Sequence, residues 1–227
     1  MKAIILDTET HALHGLPIEI AFVPFQLVNG EASIFADQAF DEHYSVGAPI
    51  SYGAMAVHHI IESDLINKPP HTTFKLPESV EYIIGHNIDY DIQAIARCGV
   101  DVSKLKPICT LALARQVWPD AEAHNISALT YMLMSGNDIA RQRLRNAHNA
   151  KQDVLLTGFI LKSIITSLGI QNIEDLHTAS EAAKIPSIMP FGKYKGTPIK
   201  DIPKDYVAWL LKQDELDPNV KKALLQG

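Results

Sequence analysis

The chain has 227 residues, of which 47% are hydrophobic and 20% charged, a composition that suits one well-buried domain of roughly 150–200 residues with a small appendage. Its net charge of −6 argues against gripping long duplex nucleic acid by charge alone, but not against holding a few nucleotides through metal ions. No apolar run approaches the roughly 20 residues of a membrane span, and Asp7 interrupts the short apolar start where a signal peptide would continue, so a cytoplasmic protein with no membrane partner is expected.

Residues 2–7 (KAIILD) predict a buried strand and residues 18–28 (IEIAFVPFQLV) a second. Asn29-Gly30 is a hairpin turn signal, and residues 31–40 (EASIFADQAF) predict a returning third strand. Residues 41–80 are rich in proline and read as loop, with short helices around 52–57 and 61–66. A buried strand at 80–85 runs into HNIDYD and a helix at 90–97. A short strand at 106–110 precedes the helix LALARQVW, which Pro119 ends. Residues 127–134 and 149–168 are helical, the latter through Val154, Leu155, Phe159, Ile160 and Ile164 at helical spacing. Composition shifts near 180–190, and two short helices are expected at about 204–213 and 218–225. The expected organisation is therefore residues 1–180 as the main domain and 181–227 as a small helical module. The fold class is α/β, a mixed sheet flanked by helices. Cys98 and Cys109 form no CxxC pair, so reduced thiols are expected rather than a zinc site.

Three stretches carry candidate chemistry. Asp7 and Glu9 stand at i and i+2 of the first strand, which points both carboxylates to one face. Like charges so placed repel unless a cation lies between them, and Mg²⁺ or Mn²⁺ prefers carboxylate oxygens. Asp91 falls in the first turn of the helix after the strand at 80–85. Asp89 competes with it, and a helix-capping role fits Asp89 better. His148 and Asp153 lie on either side of the start of the long helix, where a histidine beside a metal carboxylate is suited to take a proton from water. Taken singly, each piece is better explained as a surface acid or a helix-start histidine. Together, four carboxylates and a histidine at strand ends and helix starts fit a two-metal hydrolase.

The chain here resembles the DnaQ-like exonucleases with four acidic residues and a histidine, the DEDDh group. The matching motifs are DTET at 7–10, HNIDYD at 86–91 and H-x-x-x-x-D at 148–153, with a weaker likeness in ISYGAMAVHHI at 50–60. The likeness covers residues 2–168. Within the group, ICTLALARQVWP at 108–119 and FGKYKGTPIKDIPKDYVAWLL at 191–211 are similar to the exodeoxyribonuclease X branch. One departure is His11-Ala12, where members often carry Thr-Gly after DTET.

This resemblance implies an RNase H-like fold and a metal-dependent 3′→5′ exonuclease. Such an enzyme releases nucleoside 5′-monophosphates from DNA 3′ ends, single-stranded or duplex, in DNA repair. It implies two Mg²⁺ ions, replaceable by Mn²⁺, with Asp7 bridging, Glu9 and Asp153 completing one site and Asp91 supporting the other. His148 would deprotonate the attacking water, and Thr10, Leu13 and His58 would touch the terminal nucleotide. Arg141, Arg143 and Arg145 lie in an expected loop before His148; they read as a solvated basic loop or, through Arg143, as a phosphate contact. Lys193, Lys195 and Lys200 with Tyr194 suggest a second contact in the tail. The rival readings are an RNA 3′-end trimming exonuclease and a polymerase-associated proofreading or binding subunit.

Overall fold

The computed structural model describes residues 2–146, 149–213 and 215–226. By its internal contacts the chain forms two compact units, Met1–Ser180 and Glu181–Gly227.

The first unit is built on a six-stranded mixed sheet flanked by helices. Its strands are β1 Ala3–Thr10, β2 Pro17–Val28, β3 Glu31–Ile34, β4 Phe40–His43, β5 Tyr82–Gly85 and β6 Lys106–Cys109. The order is β3-β2-β1-β5-β6, with β4 also paired to β2. β2 runs antiparallel to β1, whereas β5 runs parallel to β1 and β6 parallel to β5. The C-terminal ends of β1 and β5 therefore emerge at one edge of the sheet, which brings DTET and HNIDYD together. Ile4, Ile5, Ile83 and Ile84 are fully buried, each contributing about 1.5–3 kcal/mol of burial.

The turn at Asn29-Gly30 has positive φ at both residues, 50° and 79°, as a type I′ hairpin turn requires. The expected third strand at 31–40 is instead broken into β3, a 3-10 turn at Ala36–Gln38 and β4. Pro24 supplies the reason. Its carbonyl accepts from Phe35 N, so its nitrogen also faces the outer strands, where it has no hydrogen to donate. β3 pairs with residues 25–28 of β2 and β4 with residues 19–22, leaving the proline in the gap.

The helices of this unit are α1 Tyr52–His58, α2 Asp89–Ala96, α3 Thr110–Val117, α4 Ile126–Leu133, α5 Asp138–Arg143, α6 Ala150–Leu168 and α7 Ile173–Ala183. α6 lies across β1 and β2. Gly158 allows this close approach: a Cβ there would meet Ile34 Cδ1 at 2.5 Å and Ile5 Cδ1 at 3.1 Å. The start of α6, with Asp153, is thereby held down on the sheet beside the end of β1. Both cysteines are buried and free.

The second unit contains α8 Lys204–Leu210 and α9 Pro218–Gln226. Its core is Met189, Ile199, Ile202, Leu210, Val220, Ala223 and Leu224. No helix among the described residues is long and apolar enough to cross a membrane.

Candidate active site

β1 carries Asp7 and Glu9 to the sheet edge on one face, and α6 brings Asp153 over them. Each offers a carboxylate oxygen, and these oxygens lie within 4.8 Å of one another. Asp91, 4% exposed, is anchored from α2: its Oδ1 accepts from Thr8 N at 2.9 Å and Thr8 Oγ1 at 2.8 Å. The residue between Asp7 and Glu9 thus fixes the fourth carboxylate. Asp89 opens α2, with Ile88 in the capping position.

Crowding and burial dominate the electrostatics. Asp7 is pushed well above the usual carboxylate range by burial, then by Asp91, Glu9, Asp153 and Glu19. Glu9 is raised to about 9 by burial, then by Asp153, Glu19 and Asp91. Asp91 is raised to about 7 by burial, against the two Thr8 hydrogen bonds. Among the described residues, every charged neighbour that shifts Asp7 or Glu9 is another carboxylate. Carboxylate oxygens forced together at a half-buried edge fit a hard divalent cation, which would relieve both the repulsion and the burial cost.

A fifth carboxylate, Glu19, was not among the sequence candidates. It is fully buried and stands directly opposite Glu9 across the β1–β2 pair. Its Oε1 accepts from Asn149 Nδ2 at 2.8 Å and its Oε2 from Ala150 N at 3.1 Å. Asn149 in turn caps α6, accepting from Gln152 N at 3.3 Å. Glu19 therefore pins the first turn of the helix that carries Asp153. Burial raises it to about 7, opposed by the Ala150 backbone bond. The sequence did hold a signal: a glutamate inside the apolar run IEIAFV is a buried charge that needs a partner.

His148 lies outside the described residues. The Thr10 hydroxyl bonds Ala12 O and meets the Tyr90 hydroxyl, joining DTET to HNIDYD. Leu13 is 81% exposed in the turn between β1 and β2. His11 fastens that turn, its Nδ1 accepting from Leu16 N at 2.9 Å. His58 is buried, with Nδ1 accepting from Ile60 N at 3.0 Å; burial lowers its pKa, against the Thr10 backbone. His86 is structural, bonding Thr110 Oγ1 and His124 O.

The arginine run forms helix α5 and a 3-10 turn at Leu144–Asn146 rather than the expected loop. Spacing by two on a helix turns Arg141 and Arg143 to different faces. Arg141 pairs with Asp138 at 2.9 Å. Arg143 lies over the Phe159 ring of α6 at 5.6 Å. Capping explains the helix: Asn137 accepts from Ala140 N at 2.9 Å.

Exodeoxyribonuclease 10 of Escherichia coli (strain K12) is 28% identical over 239 residues, spanning 97% of this chain and 96% of that protein. A solved structure of exonuclease X in complex with 5′ overhanging duplex DNA superposes with a TM-score of 0.57 at 26% identity, covering 77% of this chain and 99% of that one. Over nearly its whole length the chain is similar to exonuclease X, a DnaQ-like exonuclease. Its sheet is the RNase H-like sheet of exonuclease X, and it is a nuclease. The fold is also that of cell-death related nuclease 4 (CRN-4), with a TM-score of 0.51 at 15% identity over 72% of this chain and 63% of that one.

Residues 181–219 match a different family model, QSregVF_b, described as a quorum-sensing-regulated virulence factor. The Escherichia coli (strain K12) protein YpeB is 42% identical over 40 residues, which are 18% of this chain and 56% of YpeB.

Proposed function

We propose that this protein is a divalent-metal-dependent 3′→5′ exonuclease acting on DNA and releasing nucleoside 5′-monophosphates. The observation that carries the reading is the convergence of Asp7, Glu9 and Asp153 within 4.8 Å, with Asp91 tied to the strand between them. The exonuclease X relative, solved with duplex DNA, favours DNA over RNA as the substrate.

Asp7, Glu9 and Asp153, with Asp91 alongside, would hold Mg²⁺ or Mn²⁺, which supplies charge neutralisation at the phosphate and lowers the pKa of the attacking water. The protein's own part is placement. Thr8 fixes Asp91, and Glu19 with Asn149 fixes the start of α6. His148, by its place five residues before Asp153, takes the proton of the water, for about 10²–10⁴-fold in rate. Thr10 and His58 line the terminal nucleotide, and the solvent-facing Leu13 offers an apolar contact to its base. Arg143, braced on Phe159, meets a backbone phosphate. Clearing damaged or unwanted 3′ ends in DNA repair is the role this chemistry suits.

The deciding experiment digests matched DNA and RNA oligonucleotides, each labelled at one end or the other, with Mg²⁺ and with EDTA. The expected result is early loss of the 3′ label as mononucleotide from DNA, with slower attack on RNA and none in EDTA. Shortening from the 5′ end, internal cutting or a preference for RNA would contradict the reading.

A further inference from the structure

Residues 181–227 carry eight lysines and six carboxylates, a net charge of +2 in a chain whose total is −6. Positive charge is thus concentrated locally although the whole protein is acidic. Lys193, Lys195, Lys200 and Lys204 crowd one short stretch, and all four are exposed.

Aromatic rings are interleaved with these lysines. Tyr194 packs edge-on against Tyr206, their centroids 4.7 Å apart, and Tyr206 lies 5.4 Å from Trp209. The Lys193 ammonium sits over the Tyr194 ring, 5.3 Å from its centroid. Tyr206 and Trp209, three apart on α8, share one helix face. The row changes character along its length. Tyr194 and Tyr206 pack against the unit's core, whereas Trp209 is 53% exposed. Phe191, at the start of the same loop, is 40% exposed.

We infer that this face of the C-terminal unit is a single-stranded nucleic-acid contact, in which Trp209 stacks on a base and Lys193 and Lys195 meet backbone phosphates. Two tyrosines anchored in the core would hold the tryptophan at a fixed angle, so stacking costs little ordering. Stacking rings flanked by lysines match the alternation of bases and phosphates along a single strand. A protein partner would be better served by an apolar patch cleared of lysine, since lysine is depleted at such interfaces. The inference does not depend on the nuclease reading, because none of its residues belongs to the carboxylate cluster and binding needs no turnover.

The test uses the full chain in EDTA with a fluorescein-labelled oligothymidylate of about 20 nucleotides, long enough to cover a stacking site. Trp209→Ala is expected to weaken binding about 10-fold, within the range for removing one stacked base, and Trp209→Phe to retain most of the affinity. Lys193→Ala with Lys195→Ala should flatten the slope of log affinity against log salt by about 1.4, the value for two single-strand phosphates. In a Trp118→Phe background, the fluorescence of Trp209 should be quenched as the oligonucleotide is added. Hydrolysis of a very short oligonucleotide with Mg²⁺ should be unchanged in Trp209→Ala, which separates loss of binding from loss of fold. Unchanged affinity and salt slope in these variants, or a Trp209 emission indifferent to the oligonucleotide, would overturn the inference and leave the face to a protein partner.

Discussion

Residues 2–180 bury carboxylates against one another, whereas residues 181–226 leave Asp201, Asp205 and Asp217 in solvent and set lysines around half-exposed rings. In the first unit the raised pKa values of Asp7, Glu9 and Asp91 record a cost of folding that a bound cation would relieve. Chemistry is thus expected where like charges are forced together, and binding where opposite charge and stacking surface are offered to solvent.

The largest break in that contrast should come from Asp7→Ala, which removes the carboxylate at the centre of the cluster. Turnover of DNA is expected to fall below detection while oligonucleotide binding in EDTA persists. Next is His148→Ala, expected to retain weak activity, lower by about 10²–10⁴-fold, and measurable in single-turnover digestion.

Glu19→Ala strands Asn149 Nδ2 and Ala150 N in a buried place. It should destabilise the fold by about 1–3 kcal/mol per stranded group and lower kcat by about 10–100-fold by loosening Asp153. Glu19→Gln keeps one acceptor and should fall between. If Glu19→Ala bound divalent cation and turned over like the native protein, the pinning of α6 would be irrelevant to the chemistry.

The pH response sharpens the contrast with a smaller effect. Glu9 and Asp91 have folded pKa values of about 9 and about 7, against ordinary values of 4.5 and 3.8. From about pH 4 to 9 the unfolded chain therefore binds fewer of these protons than the folded one, and stability without metal should fall as pH rises. Mg²⁺ needs the ionised carboxylates, so its stabilisation should grow over the same range. Melting curves at pH 6 and pH 8.5, with EDTA and with Mg²⁺, check both signs. Equal metal stabilisation at the two pH values would contradict them.

Much of this was legible in the sequence, for identifiable reasons. The D-x-E spacing at a strand end dictates a shared face, and the structure brings Asp153 to the same point. The hairpin at Asn29-Gly30 followed from turn chemistry. The broken third strand was less visible because the cause sits on its neighbour, at Pro24. Helix α7 buries only Leu176 and Ser180, too thin a stripe to read as periodicity. The arginine run looked like a loop because its helix is six residues long and is set by a cap. Glu19 was hidden by its surroundings: in an apolar strand, its purpose appears only when Asn149 arrives from 130 residues away.

The most direct test of the central claim is a Mn²⁺ titration of the native chain and of Asp7→Ala, each paired with digestion of a 3′-labelled duplex. Two ions are expected to bind per native chain with release of labelled mononucleotide, and both are expected to be lost in Asp7→Ala. Full hydrolysis by Asp7→Ala, or by the native chain in EDTA, would contradict the claim.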